Sequence, residues 1–365
     1  MKYRPGRVHS LSLAALAVLG LFLFAVAERS KSPVMQPDFT TKMEAATRTK
    51  LAMEAIREAR FGSAAPIVND PEMTGLIGHE YSLITTDRGS HAQKSRALDP
   101  NIAGVFVHLL KRAGVGEGDL VAIGCTGAFP LMNAAAIISV EAVGATPVAI
   151  TSVGASTWGA NDPELTWLDM ERVLFDEGII AHRSVAASRG GGADNGKGLS
   201  VEGRRLLDEA IERSGAVRIV EPTLDQSIDR RMEIYDEHAD GKDYACYFNV
   251  GGGLASLGSS QVGKLLRPGL TRHTEARNFP RRGALVRMGL RGAPVVHVPR
   301  ADELIERYGL AEQTAPRPEV GTGGVFYRDR YNVPLAGVLA VLYAFVTFVV
   351  VRVDIKHYLF RRRTE

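Results

Sequence analysis

Two long uncharged apolar runs constrain this chain more than any other feature. "LSLAALAVLGLFLFAVA" (Leu11 to Ala27) and "PLAGVLAVLYAFVTFVVV" (Pro334 to Val351) contain no Asp, Glu, Lys or Arg. Each falls within the length range of a helix that crosses a bilayer, about 17–25 residues. Lys2, Arg4 and Arg7 precede the first run, and Arg352, Lys356, Arg361, Arg362 and Arg363 follow the second. Lys and Arg near a span favour the cytoplasm. Both basic tails are therefore expected inside, with residues 28–333 outside the cytoplasm of a cell (inner) membrane. Ala25-Val26-Ala27 also fits a signal-peptidase pattern. Cleavage there would leave only the C-terminal anchor and would not move the domain. The competing reading, two buried core helices, does not explain the basic flanks.

An outer location bears on chemistry, because nucleotides are scarce there. The formal net charge of +3 over 365 residues gives no reason to expect nucleic-acid binding. Two cysteines, Cys125 and Cys246, exclude a disulfide framework and a Cys-rich zinc site. They leave either one disulfide or two separate buried thiols, the second being preferred. No His-Glu-x-x-His or comparable spacing occurs, so no metal and no cofactor are expected.

Between the apolar runs the pattern alternates. Residues Pro37 to Arg60 read as an amphipathic helix in a lead-in over 28–74. Strands are expected at 118–125, 145–152, 216–222, 243–253 and 293–299. Helices are expected at 129–144, 162–178, 200–215, 225–241, 283–292 and 301–309. Asp162 is the expected cap of the helix at 162–178, with Pro163 at its first position, and Ser200 and Gly215 bracket that at 200–215. Helices alternating with short Val/Ile/Ala strands predict an α/β fold, a doubly wound and mostly parallel sheet, over 75–315. Residues 187–198, "ASRGGGADNGKG", read as a flexible glycine-rich loop, and 316–333 as a linker to the last span, 334–353.

Ligands of such sheets bind beyond the C-terminal ends of the strands, which selects three turns. Gly124-Cys125-Thr126-Gly127 would join a strand to an Ala-rich helix, offering backbone donors and the Thr126 hydroxyl to an anion. It is neither a Walker motif nor a dinucleotide fingerprint, and close packing of a strand–helix turn explains it equally well. "SVGASTWGANDPELTW" (152–167) supplies Ser152, Ser156, Trp158 and Asn161, with Trp158 a candidate wall or lid and Trp167 a core residue. "FNVGGGLASLGSS" (248–260) supplies Gly251, Gly252, Gly253 and Ser256. The catalytic candidates are Cys125, a nucleophile if a helix N-terminus lowers its pKa, His182 and Ser256. Ser256 lies in no Gly-x-Ser-x-Gly elbow. His182 and His297 flank predicted strands and could serve as acid–base groups. For each of these residues a structural role is the simpler alternative.

The run "GDLVAIGCTGAFPLMNAAAIISVEAVGATPVAITSVGASTWGANDPELTWLDMERVL", with "SRGGGADNGKGLSVEGRRLL" and "NVGGGLASLGSS", resembles the bacterial poly-γ-glutamate system protein family. The resemblance covers most of the chain and implies a membrane-anchored accessory protein that works with the ligase and membrane subunits making and exporting poly-γ-glutamate. It carries over no catalytic residue. It implies a polyanion or related carboxylate as ligand, held at the turns above with help from Arg183 and Arg189. Two alternatives stay open: an extracytoplasmic hydrolase or transferase acting on the polymer, and a non-catalytic scaffold of the synthase complex.

Overall fold

The computed structural model describes residues 10–62, 70, 72–275, 279–310 and 319–352. It divides into a terminal unit, built from the segments up to Met35 and from Tyr327 onward, and an α/β unit, Gln36–Phe326.

In the terminal unit the two apolar runs form helices Ser10–Arg29 and Val333–Arg352, each long and apolar enough to cross a membrane, with a mean hydropathy of 2.4. Gly20 meets the ring of Tyr343, where a Cβ would come within 3.3 Å. Ser32–Met35 pairs antiparallel with Tyr327–Arg330. The Tyr331 hydroxyl donates to Glu28 Oε2 at 2.6 Å, and the Lys31 ammonium lies 4.5 Å from the Tyr331 ring centroid. The basic tails at 1–9 and 353–365 lie outside the described residues.

The α/β unit is built on seven strands: β1 Leu120–Thr126, β2 Thr146–Ser152, β3 Ala186–Ser188, β4 Val217–Ile219, β5 Tyr244–Val250, β6 Gly269–Thr271 and β7 Val295–Val298. Their order across the sheet is β6-β7-β5-β1-β2-β3-β4. All neighbours are parallel except β6, which runs antiparallel to β7 at the edge. The expected α/β class and mostly parallel sheet are therefore present. Alternate residues of the central strands enter two separate apolar cores. Val121, Ile123 and Cys125 of β1 join Phe248 of β5 in one, and Ala122 joins Tyr247 in the other. A strand buried on both faces needs apolar residues at every position, which is why these segments read as continuous apolar runs.

The principal helices are α1 Phe39–Phe61, α2 Ile102–Ala113, α3 Pro130–Ala142, α4 Trp167–Asp176, α5 Val201–Ser214, α6 Leu224–Ala239, α7 Ala284–Leu290 and α8 Asp302–Tyr308. The caps of α5 are as the sequence predicts: Ser200 Oγ accepts from Gly203 N at 3.0 Å, and Gly215 is left-handed at φ +74°.

Four expectations need correction. Helix α1 is not a lead-in separate from the domain. Ala45, Ala46, Ala52, Met53 and Ile56 are core residues, and α1 packs on α2 and α3. The expected linker is partly domain too. Asn101 Nδ2 donates to Glu319 O at 2.9 Å, Gly321 N donates back to Asn101 Oδ1 at 2.8 Å, and Phe326 is buried against Gly104. Residues 311–318 lie outside the described residues. Helix α4 starts later than Asp162, because Asn161–Asp162 pairs antiparallel with Leu165–Thr166. Thr166 is the cap, exchanging hydrogen bonds with Asp169 in a capping box. Finally, the segment 187–198 is tied down by its bridges and by buried Asp194.

Candidate ligand crevice at the strand ends

The strand order reverses between β1 and β5. The chain leaves β1 toward β2 on one side, and leaves β5 toward β7 on the other. Such a reversal opens a crevice beyond the C-terminal ends of the two strands. Thr126 ends β1, and the triple glycine follows β5.

The crevice brings together four of the predicted residues. Gly251 is left-handed at φ +82°, and a Cβ there would stand 2.4 Å from Thr126 Oγ1. Only glycine satisfies both the torsion and the approach. A Cβ on Gly253 would lie 3.0 Å from Thr126 Cγ2 and 3.8 Å from Ser152 Oγ. Gly252 faces open space and is exposed. Thr126 Oγ1 itself is buried and has no hydrogen-bond partner within the described residues. A buried hydroxyl without a partner costs about 1–3 kcal/mol, so this atom is an uncompensated polar group of the crevice.

Beneath it lies a charge pair that sequence reading missed. Arg231 and Asp194 are both almost fully buried, with Arg231 Nη2 3.0 Å from Asp194 Oδ2. Arg231 Nη2 also donates to Ser152 Oγ (2.9 Å) and Ser188 Oγ (2.7 Å). Both serines donate in turn to Asp194 Oδ1 at 2.8 Å, and Ser227 donates to Asp194 Oδ2. Burial is the largest influence and opposes the guanidinium charge, but Asp194 together with Tyr235 and Tyr247 more than offsets it and holds Arg231 above its ordinary range. The carboxylate reaches this spot because Asp194 adopts φ +61° within the glycine-rich loop. One sequence signal pointed here. Leu224, Ile228, Arg231 and Tyr235 share one helical stripe, so Arg231 stands where an apolar residue belongs.

The remaining candidates lie elsewhere. Gly124, Cys125 and Thr126 are strand residues rather than a turn. Gly124 is glycine because a Cβ would stand 2.6 Å from the Tyr247 hydroxyl. Gly127 is covered. Its N–H donates to Ser152 O at 3.0 Å, its carbonyl accepts from Ala160 N at 2.8 Å, and a Cβ would lie 2.3 Å from Val153 O. That amide is committed to the fold and offers nothing to an anion. Cys125 and Cys246 are free and buried. Burial pushes the Cys125 thiol up, and Cys246 to about 12, opposite to the lowered pKa a nucleophile needs.

Ser256 donates to Asn249 Oδ1 and lies 2.8 Å from the Tyr247 hydroxyl, while Asn249 Nδ2 is 3.0 Å from His297 Nδ1. An amide separates serine from imidazole and cannot relay the proton. Burial lowers His297 to about 4, against the opposing pull of Gly263. His182 precedes β3, at the other end of the sheet, 2.9 Å from Glu141. Arg189 pairs with Asp208 at 2.7 Å, and Arg183 covers the Phe175 ring at 4.9 Å. Trp158 (φ +66°) sets its ring against His91 at 5.1 Å, and Asn161 braces His79 and Thr85. Both hold residues 78–91 and neither lines the crevice. Ser156 accepts from Lys94 Nζ at 2.9 Å. Among the described residues no group of three or more His, Cys, Asp or Glu could hold a metal. Comparison with protein-family models, curated proteins and solved structures gives no match for this chain.

Proposed function

We propose that this chain is a membrane-anchored accessory component of poly-γ-glutamate synthesis or export. In this reading the sheet is doubly wound, both termini are cytoplasmic, and the α/β unit lies outside beside the other synthase subunits. There it binds carboxylates of the emerging polymer. The observation that carries the binding role is the partnerless Thr126 hydroxyl at the strand-order reversal. A hydroxyl is a donor, a carboxylate is an acceptor, and a hydrogen bond to a charged group is worth about 1.5–3 kcal/mol. Entry requires the Gly251–Gly253 turn to move aside, which three successive glycines permit. The sequence resemblance supplies the polymer, and two spanning-length helices with basic flanks supply the orientation.

Protease added to intact spheroplasts is expected to digest the α/β unit, detected by an antibody against it, while a cytoplasmic marker survives. Full protection would place the unit inside and remove the emerging polymer as its ligand. The detergent-solubilised chain is also expected to be retained on immobilised poly-γ-glutamate, and failure to bind would count against the assignment.

A further inference from the structure

Lys94 is another buried ionisable side chain of the α/β unit, and the crevice does not use it. It sits in the short helix His91–Arg96, is only 4% exposed, and pairs with no carboxylate among the described residues. Its Nζ donates to the carbonyl of Ala128 and lies 2.9 Å from Ser156 Oγ. The Phe129 ring covers it, centroid at 3.9 Å, and Leu76, Ala97, Leu98 and Leu131 complete an apolar surround. Ser156 is partly exposed and follows the C-terminal end of β2, the end at which ligands of such sheets bind.

We propose that Ser156 and Lys94 form a nucleophile–base pair for acyl transfer, acting on an amide or ester carbonyl. A buried lysine without a carboxylate partner favours its neutral amine. Burial lowers the Lys94 ammonium to about 7. The neutral amine keeps one N–H on the Ala128 carbonyl and turns its lone pair toward the Ser156 hydroxyl. Serine–lysine pairs are a recognised variant of the serine–histidine arrangement.

The step balances without a further reagent. Ser156 Oγ bonds to the carbonyl carbon, its proton passes to Lys94 Nζ, and the C=O π pair moves to oxygen. On collapse the bond to the leaving amine or alkoxide breaks, and Lys94 returns the proton to it. Water then adds to the acyl carbon, its proton passing to Lys94. The Ser156 ester bond breaks to release the acid, and Lys94 restores the serine proton. The net change is hydrolysis. This proposal is independent of the polymer assignment.

The test uses the full chain in detergent and a fluorophosphonate probe, with the modified residue located by mass spectrometry. Labelling is expected at Ser156, absent in Ser156→Ala, and at least tenfold slower in Lys94→Met. The rate should rise with pH as Lys94 loses its proton near pH 7. Lys94→Met replaces the buried amine with an apolar chain of similar reach, and tryptophan fluorescence checks that it folds. Folded wild-type protein with an unlabelled Ser156 would overturn the proposal. So would a Lys94→Met variant that folds and labels at the wild-type rate, because lysine would then be only a brace.

Discussion

Arg231→Met is expected to destabilise the α/β unit by about 3–5 kcal/mol, the cost of stranding a buried charge. The variant leaves Asp194 under the crevice with its cation removed. The three serines that donate to Asp194 can soften the loss but cannot neutralise the carboxylate. Two of those serines end β2 and β3, so the damage should spread into the sheet. Thermal unfolding followed by tryptophan fluorescence would show a melting temperature lower by roughly ten degrees. Both tryptophans, Trp158 and Trp167, report from this unit. The double variant Arg231→Met, Asp194→Asn should regain a large part of the loss. Asparagine tolerates the left-handed backbone at position 194 and carries no charge. An Arg231→Met protein that melts like wild type would show that the pair contributes nothing.

Gly127→Ala should have the second largest effect. The new methyl would stand 2.3 Å from Val153 O, a backbone atom that cannot swing away. Relief requires residues 153–160 to lift off the end of β1, breaking the bonds from Gly127 N to Ser152 O and from Ala160 N to Gly127 O. Overpacking of this kind costs about 1–3 kcal/mol or more. The same unfolding measurement checks it. An unchanged melting temperature would mean that the turn is open, as an anion nest would be, and would reinstate Gly127 as a ligand residue.

These two residues show where the sequence was readable and where it was not. Helix α5 was legible at both ends because its caps are local chemistry: a serine accepting an N–H, and a glycine in the left-handed region. Strands β1, β2, β5 and β7 were legible as apolar runs. Helix α2 went unassigned. Ile102 to Val107 is buried at every position, and the polar face begins only at His108, Lys111 and Arg112, opposite Phe106, Leu109 and Leu110, so the helical period is confined to the second half of the segment. Strand β3 is three residues of Ala and Ser, too short and too small to stand out.

At the site, the strand-end rule selects Thr126, Ser152, Gly251 and Gly253 as ligand residues, and the structure sets these four side by side. Gly124 was misread because a glycine that makes room for a tyrosine hydroxyl looks the same in sequence as one that makes a turn. Asp194 and Lys94 were invisible for another reason. Their importance comes from burial, which depends on contacts far away in the chain. Arg231 alone left a trace, as a cation on an apolar stripe.

The most direct measurement is calorimetric titration of the detergent-solubilised chain with a γ-linked glutamate oligomer, comparing wild type with Thr126→Val. The change is nearly isosteric and removes a hydroxyl that has no partner among the described residues, so stability should hold or rise slightly. The account predicts binding by wild type and an affinity about tenfold weaker in the variant, the equivalent of about 1.4 kcal/mol. Equal affinity in two equally stable proteins would contradict it, and the crevice would lose its claim to the carboxylate.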